Sequence, residues 1–348
     1  MRSCDIVRAF HRVAPETPIE LVTDLPEPFL RNRLSGIPFT LRRAVFDVGM
    51  VQRDSVRVDV SETLRCASDL VRRRTALLER ETAYIRSSST GLVVCDIPSI
   101  PLEAAERAGV PRLAVGNFAW NWIYSAFLDQ DSRWHDVVRL FEEGYARSDL
   151  LLRLPFAEEM QVFPRKRDIP VVAEPGTPRR DTLASLSGAP TDRCWVLLSF
   201  SSLDWDESAL RAVEDLDEYV FFTVRPLAWT RSNIFPIDRE RIAFSDVMAS
   251  VDIVVTKPGF GVLSECVVNR KPMVYVDRTD FLEYPILEKA VKRYLKHQHI
   301  PEEHLYSGVL GDALAQVLKN PEPRDTPGTG GAPVAAGVLK DWLSGAHP

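Results

Sequence analysis

The stretch of this chain that could do the most chemistry is Val251–Pro272, V-D-I-V-V-T-K-P-G-F-G-V-L-S-E-C-V-V-N-R-K-P. An apolar run, Ile253–Thr256, reads as a buried strand, and Gly259 and Gly261 follow it. Glycines there permit a tight turn and a close approach to the backbone. A helix is expected to start near Val262 and end near Asn269. Its first N–H groups and its dipole would form an anion site, for which a pyrophosphate is the natural ligand. Lys257 is the nearest cation, and Ser264 and Glu265 fall in the expected first turn. Glu265 there could accept hydrogen bonds from a ribose diol. The same residues also suit a turn with no ligand: glycine is common where strand meets helix, and Glu near a helix start favours the dipole. Ser264 stands where the last Gly of G-x-G-x-x-G belongs. The stretch also lies near the fourth strand of its half, not the first, and it lacks a GK[ST] triplet. Dehydrogenase and P-loop kinase chemistry therefore fit poorly.

The first half offers a second group. Asn117, Trp120, Asn121 and Tyr124 follow the apolar run Arg112–Val115, and ligands of open α/β sheets sit at strand ends. Trp120 and Tyr124 are also four residues apart, a common helical packing pair. Asp96, at a strand end, and Asp47, in F-D-V-G, are further candidates that could equally organise turns by accepting backbone N–H groups.

These residues need a scaffold. The apolar runs are Ile19–Val22, Leu92–Asp96, Arg112–Val115, Leu150–Leu154, Trp195–Ser199, Tyr219–Val224, Ile242–Phe244, Ile253–Thr256 and Met273–Val276. Most are continuously apolar, as strands buried on both faces should be. Helical patterns separate them, among them Ser61–Ile85, Trp134–Ala146 and Tyr284–Leu295. The alternation predicts α/β architecture with parallel sheets. With 348 residues, two domains are expected: residues 1–172 and 191–322, joined by a Pro/Gly/Ser-rich linker at 173–190. A second such linker and a C-terminal helix, Val334–Leu343, occupy 323–348.

Hydrophobic residues at 45% and charged residues at 26% describe an ordinary globular chain. A net charge of -6 shows no basic footprint for nucleic acid. No apolar run approaches the roughly 20 residues of a membrane-spanning helix. The opening M-R-S-C-D-I-V-R-A-F-H-R-V has no apolar core of a secretory signal and reads as an amphipathic helix, with His11 facing solvent. Five scattered cysteines fit reduced thiols and a cytoplasmic setting. His297, His299 and His304 read as surface rather than a zinc site.

Three segments, D-I-V-V-T-K-P-G-F-G-V-L-S-E (252–265), K-P-M-V-Y-V (271–276) and D-F-L-E-Y-P (280–285), resemble the C-terminal domain of GT-B glycosyltransferases. The likeness is strongest to the glycosyltransferase-like domain of plant L-arabinokinases and its bacterial relatives, and more distant to the lipid II GlcNAc transferase. F-D-V-G-M-V-Q-R-D (46–54), V-C-D-I-P-S (94–99) and G-V-P-R-L-A-V-G-N-F-A-W-N-W-I-Y (109–124) agree with it. The resemblance implies two Rossmann-like domains facing across a cleft, and transfer of a sugar from a nucleotide-sugar, UDP-linked, to a hydroxyl acceptor, small-molecule or lipid-linked. Gly259 and Gly261 would line the diphosphate and Glu265 would bind the ribose. Phe281, Glu283 and Tyr284 would fall near the donor sugar. Ser201 and Ser202 would replace a Gly-Gly pair, where hydroxyls can also donate. The N-terminal domain would face the acceptor. No cofactor is implied, and no metal is expected. The resemblance also implies a first strand and a G-x-G-H turn whose His is the usual base. Met1-Arg2-Ser3 already lies in the helix after that turn, so both are expected upstream of Met1, and the catalytic base stays unnamed. An epimerase or hydrolase on the same scaffold, or a sugar-nucleotide-binding protein that is non-catalytic or truncated at its N-terminus, remains open at this point.

Overall fold

The computed structural model describes residues 2–238, 241–278 and 281–346. The chain divides into two compact units. One comprises Met1–Val51, Asp59–Val172 and Gly328–Pro348, and the other Gln52–Val58 and Ala173–Pro327.

The first unit opens with α1 (Arg2–Val13), β1 (Glu20–Val22), α2 (Glu27–Arg33), β2 (Thr40–Arg42) and α3 (Val60–Ser87). It continues with β3 (Val93–Cys95), α4 (Ile100–Ala108), β4 (Arg112–Gly116), α5 (Trp120–Ser125), α6 (Arg133–Tyr145), β5 (Leu150–Arg153) and β6 (Lys166–Asp168). Its strands form two parallel sheets, β1-β2 and β3-β4-β5-β6, and no described strand joins β1 to β3. Helices bridge the two instead. Cys4 of α1 packs with Leu21 and Leu41, while Ile6, Ala9 and Phe10 pack with Leu113 and Leu152. On α3, Glu81 takes both ends of the Arg42 guanidinium, and Leu77, Leu78 and Ile85 pack with Cys95.

The second unit runs through α7 (Arg180–Ser187), β7 (Cys194–Leu198), α8 (Glu207–Glu214), β8 (Tyr219–Val224), β9 (Ile234–Ile237), α9 (Phe244–Ser250) and β10 (Ile253–Thr256). There follow α10 (Phe260–Asn269), β11 (Met273–Val276), α11 (Tyr284–Tyr294), β12 (His297–Ile300), α12 (Glu302–Tyr306) and α13 (Gly311–Lys319). All neighbouring strands are parallel, in the order β12-β11-β10-β7-β8-β9. The order reverses between β7 and β10, the switch point where open α/β sheets place ligands. Val196, Leu198, Val255 and Val274 face one core, and the alternate residues Leu197 and Val254 are equally buried. Sheets covered on both faces demand such continuous apolar strands.

The chain then returns to the first unit as α14 (Gly331–Leu343), where Ala332, Ala335, Ala336 and Trp342 pack with Ile6, Ala9 and Phe10 of α1. The small residues let the two helices lie close.

Several expectations change. Ile242–Phe244 is not a strand: Phe244 opens α9, and the strand of that region is β9, whose internal Pro236 masks the pattern. The stretch 173–190 is more than a linker, since α7 buries Leu183. His11 is half-buried, and its Nδ1 is inaccessible to solvent. Among the described residues no helix is long and apolar enough to cross a membrane.

Candidate functional site

In the second unit a cavity of about 270 Å³ opens at the carboxyl ends of β7, β8 and β10. Ser199, Ser201, Val224, Thr256, Lys257, Gly259 and Gly261 are among its lining residues. The sequence makes this shape locally. Gly259 is extended (φ -159°, ψ 149°) and caps α10, which begins at once with Phe260. A Cβ on Gly261 would meet no atom within 4 Å, and one on Gly259 only Val262 at 3.9 Å. The space before both glycines is therefore open, and it lies at the start of a helix, where main-chain N–H groups favour an anion.

The early start of α10 moves Glu265. It is the sixth helical residue, in the second turn rather than the first, and it is buried. Ser264 is half-buried on the same helix.

Lys257 is half-buried at the cavity wall, with Gln52 Oε1 3.5 Å from its Nζ. Burial, and then the charge of Arg278, push its ammonium down to about 7. Burial also pushes the Glu283 carboxyl up, against the pull of Arg278 and Lys257. Phe281 is buried under the Arg278 guanidinium, and the Tyr284 hydroxyl donates to Asp277 Oδ1. His299 Nε2 lies 3.0 Å from the other Asp277 oxygen.

Ser201 and Ser202 turn out of β7, but their main-chain N–H groups are already engaged. They donate to Ser55 Oγ at 3.0 and 2.9 Å, and Ser55 N–H donates back to the Ser202 carbonyl at 3.2 Å. Ser55 is fully buried. Its neighbour Asp54 accepts from the N–H groups of Val56 and Arg57, from the Arg57 side chain and from the Tyr306 hydroxyl. Those bonds outweigh burial and hold the Asp54 carboxyl at about 2.

In the first unit, Asp96 follows β3 and Asn117 follows β4, so both stand at strand ends as expected. Asp96 accepts from Arg2 and Ser3, and Asn117 accepts from Arg2 while donating to the Pro155 carbonyl. Burial raises the Asp96 carboxyl, but Arg2 and Ser3 outweigh it and bring it below its ordinary value. Trp120 donates from Nε1 to Asp47 at 3.0 Å, and burial raises that carboxyl. Asn121 is half-buried, with its Oδ1 inaccessible and unbonded among the described residues. Tyr124 is a core residue rather than a cleft residue. It is 0% exposed, its ring lies between Trp120 and Trp134, and its hydroxyl donates to the Gly49 carbonyl.

Three D-x-D triplets occur, at 129–131, 204–206 and 215–217. Asp131 pairs with Arg133 and Asp206 caps α8, and none of the six carboxylates lines the cavity.

No protein-family model matches the chain. An L-arabinokinase of Arabidopsis thaliana is 25% identical over 359 aligned positions, covering 99% of this chain and 33% of that protein. The chain thus spans about a third of the length of that relative. A glycosyltransferase of kitacinnamycin superposes with a TM-score of 0.62 at 14% identity, over 99% of this chain and 91% of that one. A UDP-glucose:anthocyanidin 3-O-glucosyltransferase in complex with UDP superposes with a TM-score of 0.59 at 12% identity, over 99% and 96%.

The fold is GT-B.

In this GT-B chain two site residues escaped the sequence reading. Ser55 lies 146 positions before the turn it holds, and no local pattern marks it. Arg278, buried at the carboxyl end of β11, is one arginine among many. Its position two residues after an apolar strand is the available signal.

Proposed function

We propose that the chain is a glycosyltransferase that moves a sugar from a UDP-linked donor to a hydroxyl acceptor. The observation that carries this reading is the open space before Gly259 and Gly261, at the start of α10 and on the switch point of a GT-B sheet. The diphosphate would sit there, on the N–H groups of Phe260 and Gly261 and beside Lys257. Those groups would stabilise the leaving UDP, since fixed donors and charges act where negative charge develops. Glu265 would hold the ribose, and Phe281, Glu283 and Tyr284 would border the sugar. Ser201 and Ser202 would contribute their hydroxyls rather than their N–H groups, which Ser55 holds.

On the first unit, Asp96, Asn117, Trp120 and Asn121 would border the acceptor, and Tyr124 would shape that surface from the core. The charge on the leaving group is met by Lys257 and the helix start, so transfer is expected to proceed in EDTA. A cytoplasmic setting fits five cysteines that are all free thiols.

The test is direct. The purified chain is titrated with UDP by calorimetry, then incubated with UDP-sugars and a panel of hydroxyl acceptors while UDP release is followed. Acceptor-dependent release supports transfer. UDP binding without any acceptor-dependent release would leave a binding protein, and absence of UDP binding would remove the reading.

A further inference from the structure

Arg278 stands two residues beyond the end of β11, and only 5% of its surface is exposed. Its guanidinium lies over the Phe281 ring, 3.1 Å from the centroid, and its Nη1 is 4.0 Å from Glu283 Oε1. That separation is too long for a hydrogen bond. Its Nε and Nη2 are inaccessible and have no acceptor among the described residues. These two nitrogens share one edge of the guanidinium plane. Elsewhere in this chain the same edge grips a carboxylate: Arg57 on Asp54, Arg65 on Glu62, Arg133 on Asp131 and Arg153 on Asp168. A buried cation without bonded partners is costly. A planar pair of oxygens satisfies the fork with two parallel charge-assisted bonds, which a lysine cannot reproduce.

We propose that Arg278 selects the donor by its sugar: the edge formed by Nε and Nη2 grips a carboxylate on that sugar, so the donor is a nucleotide-linked uronate. The proposal rests on the nucleotide-sugar reading above. In that reading the diphosphate occupies the start of α10, after β10. Arg278 follows the neighbouring strand, β11, which pairs with β10 through Val254↔Met273 and Thr256↔Tyr275. One strand spacing, about 5 Å, separates the two strands, within reach of a second anionic group on the same molecule. Lys257 is close enough to feel the charge of Arg278, with the carboxylates of Asp54 and Glu283 acting in the opposite sense.

Calorimetric titration of the full chain with UDP, UDP-glucose and UDP-glucuronate tests this. The unsubstituted chain is expected to bind UDP-glucuronate at least tenfold more tightly than UDP-glucose. Arg278→Gln is expected to abolish that difference while leaving UDP affinity within threefold. Should Arg278→Gln not fold, Arg278→Lys, which keeps the charge but loses the fork, is expected to lose most of the preference. Equal affinity of the unsubstituted chain for the two sugars would overturn the proposal while UDP binding stands. A substitution that weakens all three ligands alike would also overturn it, placing the guanidinium on the diphosphate. Failure of all three ligands to bind would remove the nucleotide-sugar reading and this proposal together.

Discussion

The side-chain oxygen of Ser55 accepts a hydrogen bond from the main-chain N–H of Ser201 at 3.0 Å, across 146 positions of sequence. The same oxygen takes the N–H of Ser202, so one hydroxyl satisfies two donors of a turn at the carboxyl end of β7. Removing it leaves both without a partner. Ser55→Ala is expected to cost about 1–3 kcal/mol, the usual penalty for buried unsatisfied donors, read as a lowered urea midpoint. UDP affinity is expected to change less than threefold, because the diphosphate is assigned to α10 rather than to these amides. A large gain in affinity would mean that Ser55 competes with phosphate.

Gly261 separates folding from binding. It lies inside the first turn of α10, and an added Cβ meets nothing within 4 Å. Gly261→Ala is expected to stabilise the chain by about 0.5–1 kcal/mol, since alanine favours helix and restricts the unfolded chain. The same methyl would occupy the space assigned to the diphosphate, so UDP affinity should fall at least tenfold. Unchanged affinity would move the phosphate elsewhere.

Glu265 is tested against the ligand group it is proposed to hold. Glu265→Gln should weaken UDP at least tenfold, a loss of about 1.4 kcal/mol. If the ribose is the partner, 2′-deoxy-UDP should bind the unsubstituted chain weakly and lose little more on substitution. Additive losses would show that Glu265 and the ribose do not meet.

Lys257 predicts a pH dependence. Its ordinary value is 10.5, and burial followed by Arg278 brings it down to about 7, with Asp54 and Glu283 opposing. A diphosphate is held better by the ammonium form, so UDP affinity should fall as pH rises through about 7. Lys257→Met should bind weakly and show a flatter profile. For folding the sign is opposite. Between about 7 and 10.5 the unfolded chain binds more protons than the folded one, so this group's contribution to stability grows with pH across that window.

Most of the second unit was legible because its strands are uninterrupted apolar runs. Tyr219–Val224, Ile253–Thr256 and Met273–Val276 were read at their observed limits. Ile242–Phe244 misled because three apolar residues fit a strand or the first turn of a helix, and only the packing of α9 decides between them. The sequence places Glu265 one turn early because Gly261 fits a turn as well as a helix. In the structure residues 257–259 make the turn, and Gly261 adopts helix. Tyr124 shows what spacing leaves open. Its four-residue offset from Trp120 fits a cleft or a core, and the stack on Trp134 settles it as core. Tyr124→Phe should therefore cost about 1 kcal/mol through the lost bond to the Gly49 carbonyl, measured by urea unfolding, with UDP affinity unchanged. Ser55 was out of reach of any local reading, since its partners are set by tertiary structure.

The second unit borrows its heptapeptide, Gln52–Val58, from the opening third of the chain. Residues 173–327 taken alone would lack the hydroxyl that holds the β7 turn, the carboxylate that receives Tyr306 and the Val56 side chain of its core. Recombination that exchanged the two halves at residue 172 would thus deliver a mismatched insert with every swap. In a lineage built on this scaffold, the second unit is inherited as two separate gene segments that must change together.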